Sequence, residues 1–284
     1  MISTLLTRLS WPVRVLWIIA ALLPNSLTSD GVTQSVLLWV LWGLVALATW
    51  LHHPISLTVV RSITPVVTAW LLAALPDASW EALQVASAVC SVIALMLIFT
   101  AEYGLLHVQA GAYGDERRYL LKIPAPLVLP TLLAWGLLVL FVCSPPVLLA
   151  QRNLILGIPG LILGLLLLWK LAPQLHRLSC RWLVRVPAGW VVHDSVVLAE
   201  NLMVRKHDVV SMKLALSDSE AIDLTGMTRG VPIEVQLRDM TDVRLSTLTA
   251  RQLKTLDVLH VKAFMVAPSR SILIIAPDAA MRQA

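Results

Sequence analysis

The densest charge in the first two thirds of the chain lies between Glu102 and Pro126, centred on Asp115-Glu116-Arg117-Arg118 with Lys122 just beyond. Adjacent carboxylates and guanidiniums on a loop suit docking to a folded domain or a partner. The same charge also serves a topogenic loop whose Pro124 and Pro126 end one element and start another. A second basic group, Arg177, Arg181 and Arg185, follows a long apolar run, and a third, Arg205-Lys206-His207, falls between strand-like segments. On a domain lying flat beneath a bilayer, Arg177, Arg181, Arg185, Arg205 and Lys206 would contact anionic headgroups at about 1 kcal/mol each, with Asp208 opposing them. The alternative for Arg205-Lys206-His207 is a solvated turn.

Other chemistry-bearing residues form no catalytic constellation. His52-His53 has no third ligand nearby, and Cys90, Cys143 and Cys180 have neither metal-ligand spacing nor a disulfide framework. No cofactor or metal site is expected, and no nucleic-acid motif is present. Gly160 and Gly164 make a Gly-xxx-Gly inside an apolar run, which lets helices approach closely, as generic packing or as a dimer contact. Arg61, Glu81 and Glu102 lie near the ends of apolar segments, where snorkelling to the interface is cheaper than an ion-pathway role.

The elements that position these residues follow from hydropathy. The chain of 284 residues is 58% hydrophobic and only 14% charged, far below the roughly 25% of soluble domains. Residues 1–172 hold 8 basic and 6 acidic side chains, and residues 173–284 hold 14 and 11. Six apolar segments are expected to be helices crossing a membrane: 11–27, 33–51, 55–75, 80–101, 127–149 and 154–171. The first is the weakest, with Arg14 and Pro24 inside it, and reads as an uncleaved first span. With the N-terminus inside, ten basic residues (Arg8, Arg14, Arg61, Arg117, Arg118, Lys122, Lys170, Arg177, Arg181 and Arg185) share the cytoplasmic side. Only Arg152 falls outside, with Asp30, Asp77 and Glu81. Both termini are therefore expected in the cytoplasm of a cell-membrane protein. Trp11, Trp50, Trp80 and Trp169 fall near span ends, whereas Trp39, Trp42 and Trp135 read as packing residues.

Beyond Pro173 the period changes to short β-type runs, at 183–186, 190–193, 202–205, 209–214, 221–224 and 233–237, divided by polar or glycine turns. Closely spaced strands of this kind argue for an antiparallel sheet or small barrel. Thr249 with Gln252 reads as a capping box opening a short helix. Residues 260–267 return to strand, and 272–281 form a last apolar segment broken by Pro277.

The run Trp182 to Asp194, then Glu200-Asn201-Leu202-Met203-Val204 and Arg205-Lys206-His207-Asp208-Val209, resembles the opening strands of bacterial pleckstrin-homology-like domains. Ala263 to Ser269 with the apolar segment after it is similar to their final strand and capping helix. The whole chain also resembles multi-span membrane proteins of actinobacteria. The expectation is a helical membrane domain, 1–172, and a cytoplasmic β-rich domain, 173–284. The chain would be a non-enzymatic scaffold or adaptor whose domain meets a partner protein or the membrane surface. The alternative is a transporter or channel component with a regulatory domain. Broken helices or mid-span carboxylates would favour transport; an apolar bundle with a well-formed domain would favour scaffolding.

Overall fold

A computed structural model of the protein describes residues 2–23, 27, 31–76, 81–216 and 218–275, with side chains from Ser10 onward. Asp30, Asp77, Trp80, residues 276–281 and the side chain of Arg8, which the sequence reading places, lie outside that description. The chain packs as two compact units. One comprises residues 1–107 and 131–176, the other residues 108–130 and 177–284. The expected division near residue 172 thus differs in one respect: the charged loop belongs with the β unit.

The helical unit contains α1 (Ile2–Leu22), α2 (Val32–Trp50), α3 (Pro54–Ala73), α4 (Ala82–Ile98) and most of α5 (Ala101–Gln109). After strand β1 (Arg117–Leu120) the chain returns as α6 (Ala125–Ala150) and α7 (Leu154–Ser179). Four helices, α2, α3, α6 and α7, are long and apolar enough to cross a membrane. A fifth crossing needs α4 and α5 taken together, bent by 63° at their junction. Six spans were expected; among the described residues the first segment contributes the shorter apolar helix Ser10–Leu22. Only 6% of the apolar window of α6 and 11% of that of α7 is buried, as for helices that meet lipid on most of their surface.

Local sequence accounts for several boundaries. Pro54 opens α3, where its missing N–H costs nothing, and His53 caps it by accepting the Ile55 N–H at 3.2 Å. His53 therefore acts as a helix cap. Gly164 meets α6 so closely that a Cβ there would stand 2.0 Å from the Phe141 carbonyl oxygen. The Gly160 and Gly164 face thus packs inside the chain, with Pro145 lying over Gly160.

In the second unit come β2 (Trp182–Val186), β3 (Gly189–His193), β4 (Leu202–Arg205), β5 (Val209–Leu214), β6 (Ile222–Asp223), β7 (Ile233–Arg244), α8 (Thr247–Leu253), β8 (Val258–Val266) and α9 (Ile272–Ile275). They form two four-stranded sheets, β1-β2-β3-β4 and β5-β7-β8-β6, antiparallel except for the β6–β8 pair. One core fills the space between, built on Leu183, Val192, Leu237, Val243, Phe264 and their neighbours. The α8 cap is Ser246, whose hydroxyl accepts from Thr249 N–H, so the helix starts before the expected Thr249. Leu273 and Ile274 of α9 pack on the core.

Candidate functional site

The charged loop is a structural part of the β unit. Residues Arg117 to Leu120 pair antiparallel with β2, in the register Arg117↔Arg185, Arg118↔Val184, Tyr119↔Leu183 and Leu120↔Trp182. The next residues cross to the other sheet: Lys122 N–H donates to Ala267 O at 2.9 Å, and Ser269 N–H donates to Leu120 O at 2.8 Å. Tyr119 and Leu121 enter the common core. A bridge between Leu198 and Leu245 joins the sheets elsewhere. β1 therefore seals a seam between two sheets whose exposed edge groups would otherwise need water.

A clamp shapes the turn before β1. The Gln109 side chain accepts from Arg118 N–H at 2.8 Å and donates to Glu116 O at 2.9 Å. Gly114 takes φ of 58°, a left-handed conformation glycine adopts without strain. The Arg118 guanidinium donates to Glu116 at 2.8 Å and lies 5.1 Å from the Trp182 ring centre. That hydrogen bond, before any other cause, holds the Glu116 carboxyl below the usual carboxylate range. Arg118 thus pairs within the loop, and the loop joins the domain through backbone hydrogen bonds.

Arg181 departs furthest from expectation. Assigned above to headgroups, it is 1% exposed and donates two hydrogen bonds to Asp194, at 2.8 and 2.6 Å, and a third to the Lys122 carbonyl. Asp194 also accepts from the N–H groups of Val196 and Val197, fixing the turn after β3. A buried guanidinium is tolerable when every donor has a strong acceptor. Arg181 is therefore a structural ion pair tying β2, the β3–β4 turn and the β1 segment together. Arg177 is exposed but bound to Ser195, through the carbonyl at 2.6 Å and the hydroxyl at 3.3 Å. Burial pushes the neighbouring Cys180 thiol up.

Of the remaining expected residues, Asp115, Glu116, Arg117, Arg185 and Lys206 converge. With Gln109, Gly114, Val186, Pro187, Gly189 and Trp190 they line a groove of about 590 Å³. Arg205 is exposed at the end of β4 and is not among the lining residues. The groove is built from both chain segments: β1 and its turn give one wall, and β2, β3 and Lys206 give the others. Arg185 lies 5.9 Å from the centre of Trp190, whose ring packs on the core and stands 6.2 Å from Tyr119. Sequence reading placed Arg117 and Arg185 in different groups, because β pairing over 68 positions leaves no local signal.

The helical unit has a polar cluster of its own. Arg14, 6% exposed, donates twice to Thr49 O, at 3.1 and 2.9 Å, and contacts His52 Nε2 at 3.2 Å. Its guanidinium is 4.3 Å from the Trp50 ring centre and 5.3 Å from that of Trp11. Arg61 donates to the carbonyls of Ile98 and Thr100, at 3.3 and 3.2 Å, and so holds the break between α4 and α5. Tyr103 and His107 are fully buried in α5. Among the described residues, six of the seven buried polar atoms without a partner belong to this unit, including Tyr103 Oη, His107 Nε2 and the hydroxyls of Thr64 and Thr68. Trp42 and Trp135 are more than packing residues: Trp42 and Trp17 donate to each other's carbonyls, and Trp135 donates to Ser62 O at 2.8 Å.

Compared with protein-family models, with curated proteins and with solved structures, the chain matches none.

Proposed function

We propose that the protein is a non-enzymatic integral membrane scaffold, whose β unit is a cytoplasmic pleckstrin-homology-like domain that presents the groove to a partner protein. The inserted strand carries this reading. Three chain passages join the β unit to apolar helices: residues 110–116 before β1, 121–124 after it and 180–181 before β2. A regulatory domain on one flexible linker needs no such construction, whereas a platform held close to a membrane does. Two sheets around one core, closed by α9, support the pleckstrin-homology-like reading; a strand donated from an earlier loop departs from it. If α6 and α7 each cross the bilayer, the segments before and after them share a side, and the distribution of Lys and Arg makes that side the cytoplasm.

The test is a photo-crosslinking residue at Lys206 in cells, with the exposed Leu248 as reference. A discrete protein adduct at Lys206, absent at Leu248 and lost when residues 117–121 become glycine and serine, supports the scaffold. Identical patterns at both positions, or none, overturn it.

The 63° break held by Arg61 and the buried polar atoms beside it favour a second reading, a transport or channel component. Ion flux through reconstituted vesicles, abolished by Arg61→Ala, would establish that reading; vesicles as tight as protein-free ones would dismiss it.

A further inference from the structure

The buried cluster of the helical unit carries charge that its surroundings do not balance. Arg14 of α1 and Arg61 of α3 donate to the carbonyls of Thr49, Ile98 and Thr100, and Arg14 also contacts His52. Among the described residues no carboxylate stands within ion-pair distance of either guanidinium, and neither Nη1 makes a hydrogen bond. The C-termini of α2 and α4 lend roughly half a negative charge each, but the N-termini of α3 and α5, which begin at the same two breaks, oppose that help. Positive charge is thus left inside an apolar bundle, where it is costly. Unpartnered hydroxyls lie on the same elements. Arg61, Thr64 and Thr68 share one face of α3, at successive spacings of three and four residues. Thr64 is fully buried and Thr68 is 2% exposed, and neither hydroxyl has a partner. Tyr103 follows Thr100, whose carbonyl Arg61 holds, and it is fully buried. Its hydroxyl is also unpartnered, within electrostatic reach of both guanidiniums. The His107 ring stands 4.5 Å from that of Tyr103, with Nδ1 3.0 Å from the Tyr103 carbonyl. The ring hydrogen therefore sits on Nδ1, and Nε2 borders the cluster as an acceptor. Unpartnered O–H donors beside guanidiniums that face no anion point to one missing group.

We propose that a small monovalent anion of the halide kind binds between α1, α3 and α5 of the helical unit. It accepts from the Tyr103 and Thr64 hydroxyls and from guanidinium N–H groups, and it supplies the missing negative charge. Water would satisfy the hydroxyls but leave the charge as it is. A carboxylate or a phosphate ester brings an organic body, for which side chains packed to full burial leave no room. The inference needs neither the groove nor a protein partner. It concerns binding and not passage, so vesicles that prove tight to ions leave it standing.

The experiment melts the full chain in a neutral detergent as sodium gluconate is replaced by sodium chloride or bromide at constant ionic strength. Either halide at about ten times its dissociation constant should raise the melting temperature by about 3–5 °C, along a saturable curve. Tyr103→Phe and Thr64→Val each delete a hydroxyl that bonds nothing in the structure. Each should leave the melting temperature in gluconate equal or higher, because an unpartnered buried polar group is gone. Each should nevertheless weaken halide binding about tenfold, as for loss of a hydrogen bond to a charged group. Tyr113→Phe, which removes a hydroxyl from a side chain 91% exposed, should alter neither. Bound water alone would give the first change without the second, and that result overturns the proposal. Equal melting in gluconate and halide, or the same halide dependence in wild type and both variants, overturns it as well.

Discussion

In the helical unit Arg14 and Arg61 are held by the carbonyls of Thr49, Ile98 and Thr100 and by the faces of Trp50, Trp11 and Phe99. In the β unit Arg181, more deeply buried, faces the carboxylate of Asp194. The difference follows from what each backbone leaves over. The ends of α2 and α4 expose carbonyls with no intrahelical partner, so a cation there finds acceptors without a carboxylate entering an apolar bundle. Sheet carbonyls are spent on ladders, and a buried guanidinium between strands needs an acidic side chain. The helical unit therefore holds Arg14 and Arg61 on helix-end carbonyls, and the β unit holds its buried Arg181 in an ion pair.

The largest test of this contrast separates the units. The strand pattern after Ser179 reads as self-sufficient, yet Tyr119 and Leu121 belong to its core and β1 joins its sheets. A fragment from Ser179 to the end should lack a cooperative melt by circular dichroism. The same fragment with residues 113–123 fused ahead of it should regain one. A cooperative melt of the shorter fragment would show that β1 is an accessory.

Next in size is the Arg181–Asp194 pair. Replacing either partner by alanine strands a buried charge and should cost about 3–5 kcal/mol in chemical unfolding of the β unit. Arg61→Ala in the helical unit should cost less, about 1–3 kcal/mol, since it frees carbonyls of modest charge. Equal losses would mean that the two solutions are energetically the same.

The sequence announced the apolar segments, the change of period at Pro173 and most strands of the β unit, because periodicity and turn residues are local. It placed five of the groove residues in three separate groups, since pairing of β1 with β2 spans the α6–α7 hairpin. Arg181 was unreadable for a related reason. Spaced like Arg177 and Arg185 after an apolar run, it differs only in facing Asp194, thirteen positions on. Glycine gave more: Gly160 and Gly164 marked a close helix face, although which helix would meet it was not legible.

That face gives a smaller effect. Gly164→Ala drives a methyl group into the Phe141 carbonyl and should destabilise the helical unit by about 1–3 kcal/mol. Gly136→Ala on α6, where nothing stands within 4 Å, should be neutral or slightly stabilising. Melting of the detergent-solubilised chain would compare them. A harmless Gly164→Ala would mean that the α6–α7 approach can relax.

The smallest effect expected is pH dependence, and it separates the units by window. His52 accepts from Arg14 only when neutral, and burial first, then the Arg14 charge, lowers its pKa from the usual imidazole value. An unfolded chain protonates this ring near pH 6.5, while the folded chain resists to lower pH. Between those values the unfolded state binds more protons, so stability is full above about pH 6.5 and falls with acidification. The Glu116 carboxyl, held low by Arg118, has an unfolded value near 4.3, so its contribution persists above that and is lost only as pH falls through its lower folded value. Mild acid should therefore weaken the helical unit before the β unit. Melting curves from pH 7.5 to 3, followed separately by helix and strand signals, would show this order. His52→Gln should flatten the upper window and leave the lower one unchanged. If acid destabilises the variant and wild type equally between pH 6.5 and 5, the Arg14–His52 contact is not what the proton breaks.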